Sequence, residues 1–207
     1  ECAMSCHTTF PAVLAHAHLP AEGTQNIARA RARFEARLPS QSQHAIPFYG
    51  DDGDEKTVES HATEAVLAAT ALVLDDTSRG GALQPSTQEA LERMWARQDD
   101  RGGWPWLDFG LEPWEHEDAF GVAMAALAAG RAPTHATASH TTEVDKLRDY
   151  TRRHLATATL HDRVALLWAS SALPGLLSER QHKRIVKALR SKQHDDGGFA
   201  LADLLPR

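Results

Sequence analysis

The stretch Gln98-Asp99-Asp100-Arg101-Gly102-Gly103-Trp104 returns later in the chain as Gln193-His194-Asp195-Asp196-Gly197-Gly198-Phe199. The Gln, both Gly and the aromatic keep their spacing. Each copy follows a run with helical apolar spacing, ending Leu91-Glu92-Arg93-Met94-Trp95 in one and Ile185-Val186-Lys187-Ala188-Leu189 in the other. A second set of similar segments begins with a histidine beside an acid and continues into small apolar residues. These are His61-Ala62-Thr63-Glu64, His116-Glu117-Asp118-Ala119 and His161-Asp162-Arg163-Val164. Asp118 aligns with Asp162, and Met124 with Trp168. Recurrence of this kind constrains the fold strongly, because each repeat is one supersecondary unit that buries its apolar face only against its neighbours. The prediction is one helical hairpin per repeat, with the His-acid helices in one layer and the Gln-bearing helices in the other.

Composition agrees with an all-α fold. Hydrophobic residues make up 42% of the 207, much of that alanine, and aromatics only 6%. Small side chains at that density suit closely packed helices, and no segment alternates convincingly with period two. In the repeated turn, the Gln is expected to bond the end of a neighbouring helix. The aromatic packs between helices, and the glycines permit the sharp turn.

The chain divides at about residue 56. In the first part, Pro11 and Pro20 interrupt any long helix, one helix is expected from Thr24 to Leu38, and Pro39 to Lys56 reads as loop. Residues 57–207 carry the repeats. Arg29, Arg33 and Arg37 recur every four residues and are expected to share a solvated helix face. The formal net charge of −6 argues against nonspecific nucleic-acid binding. No apolar run reaches the ~20 residues that span a bilayer.

The first part also carries Cys2-Ala3-Met4-Ser5-Cys6-His7, which uses both cysteines of the chain. Two thiols followed directly by histidine is the order that c-type haem attachment requires. The sulfurs of Cys2 and Cys6 add to the vinyl groups, and His7 ligates the iron as proximal ligand. The spacing is one residue longer than the usual Cys-x-x-Cys-His. A Cys2–Cys6 disulfide is the alternative. A zinc site lacks further cysteine ligands. Covalent haem implies a periplasmic or otherwise exported protein, and the opening of the chain beside the motif reads as a processed or trimmed start.

The Gln-x-x-x-Gly-Gly-aromatic repeats resemble the QW repeats of squalene-hopene cyclases and the wider prenyltransferase/squalene oxidase repeat group. More closely, the chain is similar to bacterial squalene-cyclase-like proteins that carry a Cys-x-x-Cys-His-Thr haem motif before the repeats. The matching stretches are Ser5-Cys6-His7-Thr8-Thr9, Glu59 to Leu67, Glu115 to Gly121, and Leu160 to Ser170. The resemblance implies an α/α toroid preceded by a haem-attachment segment. It also places the family's first cysteine at Ala3, so the thioether geometry differs here. A closed toroid needs more hairpins than are present. The chain therefore reads as a partial barrel, either a fragment or one whose open edge a partner covers.

Terpene cyclase activity is not expected. Those cyclases protonate substrate with Asp-x-Asp-Asp-Thr, and here Val73 stands where the first Asp should be, in Val73-Leu74-Asp75-Asp76-Thr77. Two aspartates before Thr-Ser read as a helix end and turn. Candidate distal ligands for a haem iron are His16, His18, His44, His61, His116 and His161. The last three are each expected to start a helix, and helix starts of one layer converge at the toroid mouth. His16 and His18 alone make a weak metal site. The leading expectation is a haem c protein working in electron transfer, or as the haem-bearing subunit of a larger periplasmic complex with a redox partner. The alternatives are a haem enzyme using Glu64 or Asp118 as acid or base, and a haem-free interaction module.

Overall fold

The computed structural model describes residues 9–16, 24–43, 54–78, 80 and 82–205. Every regular element among them is helical, apart from one isolated bridge between Leu111 and Glu115 in the loop before α5. The helices are α1 (Thr9–His16), α2 (Thr24–Gln43), α3 (Glu55–Ser78), α4 (Pro85–Ala96), α5 (Asp118–Arg131), α6 (Thr134–Thr137), α7 (Thr141–His154), α8 (Leu160–Ser170) and α9 (Glu179–Arg190). Short 3-10 turns occupy Ala138–His140 and Leu201–Asp203. Among the described residues no helix is long and apolar enough to cross a membrane.

Two kinds of helix follow from two kinds of pattern. In α3 every residue from Ser60 to Asp76 is buried, and in α5 every residue from Ala119 to Ala129. Helices apolar or small on all sides belong inside. α7 buries only Val144, Leu147, Tyr150 and Thr151, and α9 only Ile185. These are one-sided helices that need a partner on one face. The packing sorts them accordingly. α3, α5 and α8 lie side by side with α5 in the middle, while α4 packs on α3, α7 on α5 and α9 on α8. Each pair is consecutive among the longer helices.

Helix ends obey local chemistry. Pro85 occupies the first position of α4, where a missing N–H leaves no bond unmade. Thr159 caps α8 by accepting from the Asp162 N–H, and Ser178 with Gln181 forms a reciprocal capping box on α9. Pro11 is tolerated in α1 because it sits in the first turn.

α2 corrects one expectation. The helix does not stop at Leu38 but runs through Pro39 to Gln43. A proline forfeits only the single bond back to residue i−4, and the stripe Ile27, Ala30, Phe34 and Leu38 is buried, with α2 packed on α3 and α4. α3 likewise opens at Glu55, two residues before the expected start. Arg31 belongs to the buried stripe. Its Nη1 donates to Asp75 Oδ2 at 2.8 Å and Asp76 Oδ1 at 2.7 Å. Asp76 Oδ2 accepts from the Gln84 N–H at 2.8 Å and Thr87 Oγ1 at 2.6 Å. The acids that end α3 therefore clamp α2 to the α3–α4 junction.

The first Gln-Gly-Gly-Trp turn does what its composition predicts. Gln98 Nε2 donates to the Glu143 carbonyl in the first turn of α7 at 3.0 Å. Trp104 is fully buried and its indole N–H donates to the Met94 carbonyl at 2.7 Å. Gly102 has φ +90°, and a Cβ there would run into the Lys146 backbone.

Candidate functional site

α1, α5 and α8 line a partly open apolar cavity of about 410 Å³. Phe10 and Leu14 of α1 form one wall; four residues apart, they share a helix face. Phe120 and Met124 of α5 and Val164 and Trp168 of α8 form others, with Trp114 beside them. The α5 and α8 contributions occupy equivalent places. Phe120 and Met124 stand two and six residues after Asp118, as Val164 and Trp168 do after Asp162. The repeat that equated Met124 with Trp168 therefore marks the face that each helix turns to the cavity.

Among the described residues, the one titratable side chain lining this cavity is His161. Its ring stacks obliquely on Phe120, with centroids 5.5 Å apart. Its Nδ1 lies 3.0 Å from Asp162 Oδ1. Asp162 is itself buried, and its other oxygen accepts from Thr159 Oγ1 at 2.8 Å. A carboxylate only accepts, so in the neutral ring the proton resides on Nδ1 and the lone pair on Nε2. Nε2 has no hydrogen-bond partner among the described residues. The His161 backbone N–H is also held, by the Leu204 carbonyl at 3.0 Å. The backbone and Nδ1 of His161 are thus both held by hydrogen bonds.

The three His-acid segments do not converge. His161 is the second residue of α8, as expected. His116 lies two residues before α5 and borders a different, polar pocket lined by Glu59, Arg101 and Asp108. Its Nε2 is 3.5 Å from Glu112 Oε1. His61 does not start a helix at all, because α3 opens at Glu55 and His61 is buried within it. The mismatch is one of register, since the acid-rich run before His61 is already helical. His16 closes α1. Cys2, Cys6, His7, His18 and His44 lie outside the described residues.

No protein-family model, curated protein or solved structure matches this chain. The site has to be read from its own geometry. Among the described residues no cluster of three or more His, Cys, Asp or Glu is placed to hold a metal ion. A single imidazole in an apolar cavity cannot hold a bare ion either, but it can complete the coordination of a metal that arrives with other ligands.

The acids named as catalytic candidates are engaged elsewhere. Glu64 takes a two-pronged contact from Arg37, at 3.0 and 2.7 Å, with the carboxylate buried. Arg37 is therefore not on the solvated face that Arg29 and Arg33 occupy. Asp118 accepts from the Tyr150 hydroxyl and from Arg101 Nη2 at 3.2 Å. Burial first, then the Asp118 carboxylate, pushes the Tyr150 hydroxyl pKa well above the ordinary tyrosine value. Nothing local marks Trp114, in the loop before α5, as a lining residue, and Phe120 lies in an apolar helical run that reads as core.

Proposed function

We propose that this chain is a c-type haem protein whose haem, anchored at Cys2 and Cys6 with His7 as proximal ligand, lies against the cavity between α1, α5 and α8. The observation that carries the reading is the cavity itself. It is apolar, aromatic-walled, about 410 Å³ in volume and provided with one imidazole, within the size range of cofactor sites. Thr9, the first residue of α1, follows His7 by two residues, and two residues of backbone span at most about 7 Å. The wall formed by Phe10 and Leu14 is thus tied by the chain to the attachment motif.

The residues fit the group. Phe10, Phe120 and Trp168 offer flat apolar surface for a porphyrin face, and His161 offers a nitrogen lone pair. A haem supplies a one-electron couple. The protein's part is to exclude water, fix the ligands and leave an edge for exchange. Electron transfer is favoured over substrate chemistry because Glu64 and Asp118 are both held by other side chains. The layered pairs α3/α4, α5/α7 and α8/α9 support a further part of the proposal, that the scaffold is an open arc of a squalene-cyclase-like toroid. In that reading the protein works outside the cytoplasm with a redox partner or as a subunit of a larger complex.

The test is an optical spectrum of protein produced with the haem-attachment machinery, followed by acid-acetone extraction and a pyridine haemochrome assay. Haem that resists extraction and shows a thioether-shifted α band is expected. A colourless protein, or haem that extracts fully, would overturn the proposal in favour of a disulfide-closed helical scaffold.

A further inference from the structure

Resting on that reading, we infer that His161 is the sixth iron ligand, binding through Nε2, and that Asp162 is its positioning residue. Three independent features meet at this side chain. Among the described residues it is the only titratable group on the cavity wall. Its Nδ1–H is held by a buried carboxylate at 3.0 Å, the arrangement that fixes metal-ligating imidazoles and raises their basicity. Its Nε2 is left without a hydrogen-bond partner among the described residues.

Topology agrees with the chemistry. The two axial ligands of a haem approach from opposite faces of the ring. In sequence the Cys2–His7 motif leads directly into α1, whereas His161 stands on α8, a different wall of the same cavity. Ligation needs no proton exchange, since Nδ1 keeps its proton and Nε2 contributes its lone pair. The carboxylate of Asp162 is held in turn by the Thr159 hydroxyl and backbone of the α8 cap. The helix start is therefore also the support of the ligand.

The rivals are distinguishable. Met124 also lines the cavity and would give a thioether ligand with a raised reduction potential. His116 borders another pocket and His61 is buried in α3. His16, His18 and His44 are the other histidines close in sequence to the attachment motif.

The experiment combines three proteins with haem attached. Wild type should be six-coordinate and low-spin, with the near-infrared and electron paramagnetic resonance signature of two imidazoles. His161→Ala should become high-spin and recover a low-spin spectrum when imidazole is added. Asp162→Asn should stay low-spin but shift its reduction potential upward, because a neutral partner makes the imidazole a weaker donor. Circular dichroism checks that helix content is unchanged. Should the His161→Ala protein fold poorly, the wild-type spectrum and the Asp162→Asn potential still decide. A thioether charge-transfer band in wild type, a five-coordinate wild type, or an unaltered two-imidazole spectrum in His161→Ala would each overturn the assignment. Loss of all covalent haem from wild type would instead overturn the haem reading itself.

Discussion

The two Gln-Gly-Gly-aromatic turns have nearly the same backbone and opposite surroundings. In the first, the Gly102 N–H bonds the Asp99 carbonyl at 3.0 Å and the Asp99 N–H the Gly103 carbonyl at 2.9 Å. In the second, the Gly197 N–H bonds the His194 carbonyl at 2.9 Å and the His194 N–H the Gly198 carbonyl at 2.9 Å. Gly102 and Gly197 have φ of +90° and +85°. Yet Trp104 is fully buried whereas Phe199 is 44% exposed. The first turn receives α7. The second, among the described residues, receives no helix. The turn is a local product of its seven residues, while burial of its aromatic belongs to the neighbour.

That contrast can be broken or sharpened by paired substitutions. The widest gap is expected between the aromatics. Trp104→Ala should lower the unfolding free energy by about 3–5 kcal/mol, through lost contacts and a cavity. Phe199→Ala should stay within about 0.5 kcal/mol, as exposed changes do. Denaturant titration of both measures the gap, and equal losses would mean that the second turn is covered in solution. The glycines should differ less. Gly102→Ala meets both a left-handed φ and the Lys146 backbone, for a loss of about 2–3 kcal/mol. Gly197→Ala carries the φ penalty alone, about 1 kcal/mol. Thermal melts of the two variants separate these contributions. The smallest effect is at the glutamines. Gln98→Ala breaks the bond to the Glu143 carbonyl and should lose about 1 kcal/mol. Among the described residues Gln193 bonds only the Gly197 carbonyl of its own turn, at 2.8 Å, and its replacement should lie within about 0.5 kcal/mol. Hydrogen exchange at the start of α7 should respond to the first substitution, with no counterpart for the second.

The same division between local and distant explains what was legible beforehand. Helices could be read because periodicity and caps are local, and α8 begins at Leu160 with His161 in its first turn, as its pattern suggests. Arg31 could not. The four-residue recurrence of Arg29, Arg33 and Arg37 has the pattern of a solvated face, whereas Arg31 lies in the stripe of Ile27, Ala30 and Phe34. Its partners Asp75 and Asp76 are far along the chain, and nothing in a single sequence pairs them. The cavity was half visible. The equivalence of Met124 and Trp168 marked a shared helix face, but only packing shows that α1 borders it. His161 was one histidine among 12 until its neighbours set its tautomer.

Along α5, Ala123, Ala125, Ala126 and Ala128 are completely buried. A methyl group has no torsion to freeze and no alternative rotamer to occupy, so the layer behind Phe120 and Met124 offers its neighbours a single shape. An interior of longer chains answers a new charge by local rearrangement of side chains. This one can answer only by displacing whole helices. Stiffness of that kind would keep reorganisation small in the electron transfer proposed above.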